Sequence, residues 1–159
     1  MWKTIKNCIW PKRCINCNKI DSYLCVDCGA IIELIKKPEY FEFDDLKRLY
    51  MAVAYNDKLV QRLIDLAKNY IDASEDLANL IISHFRLLEK QPDLHEFIIY
   101  PLPGDLNLEI AKYLSLEFKI PIRESGKNIL IVACEFEGES FFEIARKLDA
   151  EKVWGMTVV

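Results

Sequence analysis

Ile129-Leu130-Ile131-Val132-Ala133-Cys134-Glu135-Phe136-Glu137-Gly138-Glu139-Ser140 is the stretch on which the reading of this chain turns. Four large apolar residues run into a small one and a cysteine. A turn with a single glycine follows, and Ser140-Phe141-Phe142-Glu143-Ile144-Ala145-Arg146-Lys147-Leu148 then continues at helical spacing. This is how a phosphate-binding strand–loop–helix usually looks, because the free N–H groups and the positive end of a helix attract an anion. Here the loop is acidic, with Glu135, Glu137 and Glu139 at alternate positions.

The same grammar extends outward. Arg48 to Asn56 (RLYMAVAYN) reads as a strand of densely packed β-formers. Asn56 or Asp57 is placed to cap a helix, KLVQRLIDLAKNY, with Leu59, Leu63, Leu66 and Tyr70 on one face. A second helix, SEDLANLIISHFRLLEK, is expected with Ser74 as its cap. EFIIYP reads as a short buried strand closed by Pro101, DLNLEIAKYLSLEF as a third helix and NILIVAC as a buried strand. ESFFEIARKLDA reads as a fourth helix and KVWGMTVV as the last strand. Helices alternating with short apolar strands predict an α/β fold, a mostly parallel sheet flanked by helices on both faces. Ligands of such folds bind at the carboxyl ends of strands. Two ends stand out: Tyr100-Pro101-Leu102-Pro103-Gly104, and Ala133 to Ser140.

At 159 residues the chain has room for one core and a small appendage. With 52% hydrophobic and 29% charged residues it is neither disordered nor membrane-spanning, since no apolar run approaches ~20 residues. The first residues, MWKTIKNCIWPKRC, lack the apolar core of a signal peptide, so a cytoplasmic setting is expected. Residues 1–40 carry seven Lys/Arg and four Asp/Glu; residues 41–159 carry fourteen and twenty-one. The body is therefore no nucleic-acid surface, which needs clustered cations.

Five of the six cysteines fall in the first 28 residues. Cys14, Cys17, Cys25 and Cys28 form two CxxC pairs separated by seven residues. Each pair can place two thiolates on one ion, and two pairs complete a closed S4 site. Such a site suits zinc first and iron second, in a structural role, since no coordination position stays open for substrate. Cys8 stands outside the pattern. Residues 1–40 are expected to form this zinc knuckle, with a short helix in GAIIELIKK ending near Pro38. Residues 41–159 would form the α/β domain, joined through YFEFDD.

In chain order these pieces resemble the ComF family of competence-associated proteins. Those proteins resemble amidophosphoribosyltransferases and carry an N-terminal zinc knuckle. Pro11-Lys12-Arg13-Cys14-Ile15-Asn16-Cys17 and Leu24-Cys25-Val26-Asp27-Cys28 resemble the two knuckles. Ala54-Tyr55, Leu63-Ile64 and Leu66-Ala67-Lys68 resemble the following helical block. Ile99-Tyr100-Pro101-Leu102-Pro103 resembles the V-P-V-P strand end. Ile129-Leu130-Ile131-Val132 resembles the strand before the phosphoribosyl pyrophosphate loop, and Lys152-Val153-Trp154-Gly155 the closing strand. The resemblance implies a phosphoribosyltransferase-like fold and a setting in DNA uptake or nucleotide-linked metabolism.

The chain departs from the family where the chemistry would be. An acid pair and a Thr-Thr-Gly turn would hold ribose and phosphate. Ala133 and Cys134 replace the acids, and Glu137-Gly138-Glu139-Ser140 replaces the turn. A carboxylate ~5 Å from a phosphate charge costs about 3 kcal/mol at an effective dielectric near 20. The connector keeps only Gly104-Asp105-Leu106-Asn107 where the family has R-G-F-N-Q. The expectation is a catalytically degenerate transferase fold that serves as a zinc-containing binding or scaffolding protein. Its partner would be a protein or single-stranded DNA at the knuckle, where Trp2, Trp10, Lys3, Lys6, Lys12 and Arg13 lie. The alternative is an active transferase in which Glu135, Glu137 and Glu139 recruit Mg2+ to phosphoribosyl pyrophosphate.

Two other constellations are weak. Cys134 as a nucleophile would need a base, and only His84 and His95 exist. A buried, inert thiol is the expectation. Asp44-Asp45 and Glu75-Asp76 are adjacent in sequence and do not face one another on a helix.

Overall fold

The computed structural model describes residues 11–37, 39–40 and 46–159. Five strands form one sheet: β1 (Glu39–Tyr40), β2 (Arg48–Met51), β3 (Phe97–Pro101), β4 (Asn128–Ala133) and β5 (Lys152–Thr157). Their order across the sheet is β1-β2-β5-β4-β3. The last four run parallel; the two-residue β1 pairs antiparallel to β2. Strand β4 lies between β5 and β3 and all six of its residues are buried. A strand covered on both faces needs no polar alternation, which is why NILIVA reads as an unbroken apolar run.

Five helices complete the described chain: α1 (Val26–Gly29), α2 (Lys58–Asn69), α3 (Ser74–Leu87), α4 (Asp105–Phe118) and α5 (Gly138–Lys147). Helices α2, α3 and α4 cover one face of the sheet. Val60, Leu63, Leu77, Ile81, Ile110 and Leu114 pack there with Tyr50, Ile99, Leu130, Val132 and Met156. Helix α5 covers the other face, where Phe141 and Ala145 pack on Leu49, Ile98, Ile129, Ile131 and Val153. Phe141 fits because Gly155 has no side chain. A Cβ there would lie 2.7 Å from Leu49 Cδ1 and 3.0 Å from Phe141 Cε1.

Local sequence explains most boundaries. Asp57 caps α2, its carboxylate accepting from the N–H groups of Leu59 and Val60. Gly104 at φ 125° turns the chain from β3 into α4, a conformation that suits a residue without Cβ.

Four expectations need correction. The buried face of α2 is Val60, Leu63, Ile64 and Ala67; Leu59 and Leu66 flank it and Tyr70 is exposed. The apolar stripe is broader than one line of leucines, so a rotated set satisfied the same spacing. Ser74 does not cap α3. A 3-10 turn, Ile71–Ala73, leads into the helix, and the Ser74 hydroxyl donates to the Ile71 carbonyl at 2.6 Å. The first short helix lies at Val26–Gly29 and does not continue through GAIIELIKK. Leu34 instead bridges Val53 antiparallel, and Ile35 N–H donates to the Ala52 carbonyl at 2.9 Å. Pairing with the body overrides the weak helical pattern there. In YFEFDD, Tyr40 belongs to β1, and 41–45 lie outside the described residues.

The cysteine segment is tied to the body. Tyr23 N–H donates to Asp76 Oδ2 at 3.0 Å, and Arg62 Nη2 to the Ile15 carbonyl at 2.6 Å. Ile32 is a member of the main core, and Ile15, Tyr23, Leu24 and Leu34 pack against it.

Candidate functional site

Two sites emerge, a cysteine cluster and a cleft. The Sγ atoms of Cys14, Cys17, Cys25 and Cys28 all lie within 4.8 Å of one another. The first knuckle is closed by the Arg13–Ile20 antiparallel bridge and by Asn18 at φ 62°, a conformation that asparagine tolerates. The second opens α1, where Cys25 takes the N-cap position and its carbonyl accepts from Gly29 N–H at 2.8 Å. Cys14, Cys25 and Cys28 are buried and Cys17 is exposed.

The donor set fits a metal ion. A tetrahedron of ~2.3 Å Zn–S bonds has edges of about 3.8 Å, and Cys17 Sγ lies 3.5 Å from Cys25 Sγ. Asn16 Nδ2 donates to Cys28 Sγ at 3.4 Å. Burial pushes the Cys14 thiol up, but the N–H groups of Cys25, Cys17 and Asn16 outweigh it and bring it down to about 6. At Cys28 the Asn16 amide pulls the thiol down, yet burial and the three neighbouring thiols win and push it up to about 12. Four thiolates this close repel one another, and a divalent cation among them removes that conflict. Among the described residues this is the one group of three or more His, Cys, Asp or Glu side chains close enough to hold a metal. Cys8, Trp2, Trp10, Lys3 and Lys6 lie outside the described residues. Lys12 is engaged in docking: its ammonium sits 5.5 Å from the Tyr23 ring centroid and 3.7 Å from Glu75.

The cleft lies at the carboxyl ends of β3 and β4, with a volume of ≈ 1050 Å³. The two strand ends singled out in the sequence meet here. Leu102, Pro103 and Gly104 form one wall; Ala133, Cys134, Glu135, Glu137 and Ser140 form another. The first turns of α4 and α5 both open onto it, and neither has a side-chain cap. Lys68 and Asn69, from the end of α2, close a third side.

The loop after β4 is firmly held. Asn107 Oδ1 accepts from Cys134 N–H at 2.8 Å, while Asn107 Nδ2 donates to the Pro103 carbonyl at 3.1 Å. One asparagine thus links both strand ends. Phe136 N–H donates to the Val159 carbonyl at 2.7 Å, and the Val158 N–H to the Cys134 carbonyl at 3.1 Å.

The three glutamates have different environments. Glu135 pairs with Lys68 at 2.9 Å, and that contact raises the lysine pKa. Glu137 accepts from the Ser140 hydroxyl at 3.3 Å. Glu139 sits in the first turn of α5 and does not line the cleft. The expectation of three carboxylates in the phosphate position is thereby reduced to two, because alternate residues of an irregular loop do not share a direction. Gly138 has no left-handed φ, and an added Cβ would meet nothing nearer than Phe136 at 3.8 Å. Three lysines line the cleft against five acids, and each lysine meets a lining acid: Lys112 with Glu109 at 2.5 Å and Lys147 with Glu143 at 3.8 Å complete the set.

Neither histidine joins this site. His84 is buried beneath Tyr50, and Nδ1 lies 2.5 Å from the Ile35 carbonyl. His95 is exposed on the loop before β3. Burial, with the Glu135 charge adding to it, pushes the Cys134 thiol up to about 12. Glu75 and Asp76 serve docking: Glu75 meets Lys12, and Asp76 meets Tyr23. Lys68 and Asn107 are the site residues that sequence spacing did not single out by role. Asn107 three residues after Gly104 was the one available signal.

Comparison with protein-family models, with curated proteins and with solved structures gives no match. No helix among the described residues is long and apolar enough to cross a membrane.

Proposed function

We propose that this chain is a ComF-like protein on a phosphoribosyltransferase-like fold, with a structural zinc at Cys14, Cys17, Cys25 and Cys28. In this reading it is a binding or scaffolding protein linked to DNA uptake and does not transfer phosphoribosyl groups. The observation that carries the second half is the state of the cleft. It occupies the position where such a fold would bind its ligand, but the acid pair is absent and the space is already electrostatically closed. Ala133 and Cys134 are buried and bring no carboxylate to hold ribose hydroxyls or Mg2+. The Cys134 and Phe136 amides are spent on Asn107 and Val159. Lys68, the nearest cation to the loop, is spent on Glu135. A dianionic phosphate would have to displace an internal carboxylate and still face Glu137. The Mg2+-dependent alternative also lacks support, since Glu135, Glu137 and Glu139 do not converge as a ligand set.

Zinc would act here through the chain it folds. A closed thiolate site holds the two knuckles together, and the knuckles hold α2 and α3 through Ile15–Arg62 and Tyr23–Asp76. The test is calorimetric titration of the zinc-loaded protein with phosphoribosyl pyrophosphate and Mg2+. No heat at millimolar ligand is expected. Micromolar binding, lost on Lys68→Ala, would overturn the reading and restore the transferase.

A further inference from the structure

We infer that the cysteine cluster is a site of oxidative modification by hydrogen peroxide, with Cys17 as the sulfur that is oxidised first and Cys25 as the resolving one. The inference rests on the zinc reading above and adds to it an asymmetry within the cluster. Three of the four cysteines are buried: Cys14, Cys25 and Cys28 pack with Leu24 and Leu59. Cys17 alone is exposed. A small polar oxidant therefore reaches one ligand without opening the fold. All four sulfurs lie within 4.8 Å of one another, and Cys25 Sγ, on the other knuckle, is 3.5 Å from Cys17 Sγ. Closing that gap to a disulfide needs a movement of about 1.5 Å.

The Cys17 thiolate attacks one peroxide oxygen. The O–O bond breaks, Cys17 becomes a sulfenic acid and hydroxide leaves. The Cys25 thiolate then attacks the Cys17 sulfur, forms the S–S bond and expels a second hydroxide. The two thiolates lose two electrons and peroxide gains them. Cys14 and Cys28 remain as a two-ligand remnant that cannot retain the ion. The consequence reaches the body through Leu59, which packs on the cluster, and through Arg62, which binds the Ile15 carbonyl. Both lie on α2, whose last turn supplies Lys68 to the cleft.

The test uses the full chain, with zinc content measured by elemental analysis before oxidation. Peroxide is added in the presence of a chromogenic zinc chelator, and the product is digested with trypsin. Cleavage places Cys14 and Cys17 in one peptide, residues 14–19, and Cys25 and Cys28 in another, residues 20–36. The expected outcome is release of the bound zinc together with a cross-linked pair of these two peptides. Fragmentation should assign the bond to Cys17–Cys25. Before oxidation, brief treatment with a maleimide should label Cys17 first. Disulfides within each peptide, or zinc retained while free thiols in the same solution are fully oxidised, would overturn the inference alone. A chain that carries no zinc and takes none up would overturn the metal reading beneath it.

Discussion

Gly155→Ala is the substitution through which the packing can be tested most sharply. Gly155 lies within β5, flanked by β2 and β4, and its missing side chain is filled by Leu49 and Phe141. The new methyl carbon would sit 2.7 Å from Leu49 Cδ1, closer than real contacts sustain, and 3.0 Å from Phe141 Cε1, tighter than most. Overpacking of this kind costs about 1–3 kcal/mol. Alanine returns about 0.4–1 kcal/mol by restricting the unfolded chain. The net loss is about 0–2.6 kcal/mol, a fall in Tm of up to roughly 10 °C for a domain of this size. Urea unfolding followed by tryptophan fluorescence measures it directly. Specificity comes from the pair Gly155→Ala and Phe141→Leu. If the ring is what the methyl strikes, the double variant should lose less stability than the sum of the singles by about 0.5–3 kcal/mol. Additive losses, or an alanine variant more stable than the parent, would refute the reasoning. The result bears on the cleft, because Phe141 anchors the helix whose N-terminal end presents Glu137 and Ser140.

Two further outcomes follow from buried titratable groups. Burial lowers the His84 pKa below its ordinary value of 6.5, against the opposing hydrogen bond to Ile35. The native state therefore binds fewer protons than the unfolded chain, and stability should fall as pH drops below ~6.5; His84→Asn, which keeps a donor near the Ile35 carbonyl, should flatten that slope, and an unchanged slope would remove His84 as its source. Cys134, buried with its thiol pushed up to about 12, should resist iodoacetamide in the native protein and react only on unfolding; native labelling at the rate of Cys17, read by mass spectrometry, would show that the loop after β4 opens.

What the sequence made legible was mostly short-range. Strands β3 and β4 and helix α4 follow from unbroken apolar runs, from Pro101 and from the Gly104 turn, all written within a few residues. The cysteine cluster was legible for the same reason, since its spacing encodes its geometry. The errors arose where distant segments decide. The stretch after α1 looks helical in isolation but pairs with Ala52 and Val53. Tyr70 continues the helical stripe on paper, yet α2 ends at Asn69 and leaves it exposed. The cleft shows the limit most clearly: its position could be read from two strand ends, but its electrostatics depend on Lys68 meeting Glu135, which no periodicity records.

The acidity of the loop is met by one long-range partner and two local ones. Counted along the chain, Glu135, Glu137 and Glu139 resemble a single patch of negative charge. In the fold each has its own compensation: a lysine for Glu135, a serine hydroxyl for Glu137 and the first turn of a helix for Glu139. These are the partners that a bound phosphate would otherwise use. A strand–loop–helix that supplies its own carboxylates has less need of an anionic ligand to satisfy its cation and its helix end. On the reading proposed above, loss of the phosphate and gain of the glutamates would be one change and not two. The proposal that this cleft no longer binds phosphoribosyl pyrophosphate rests on that substitution, with Lys68 as the residue where the two anions would compete.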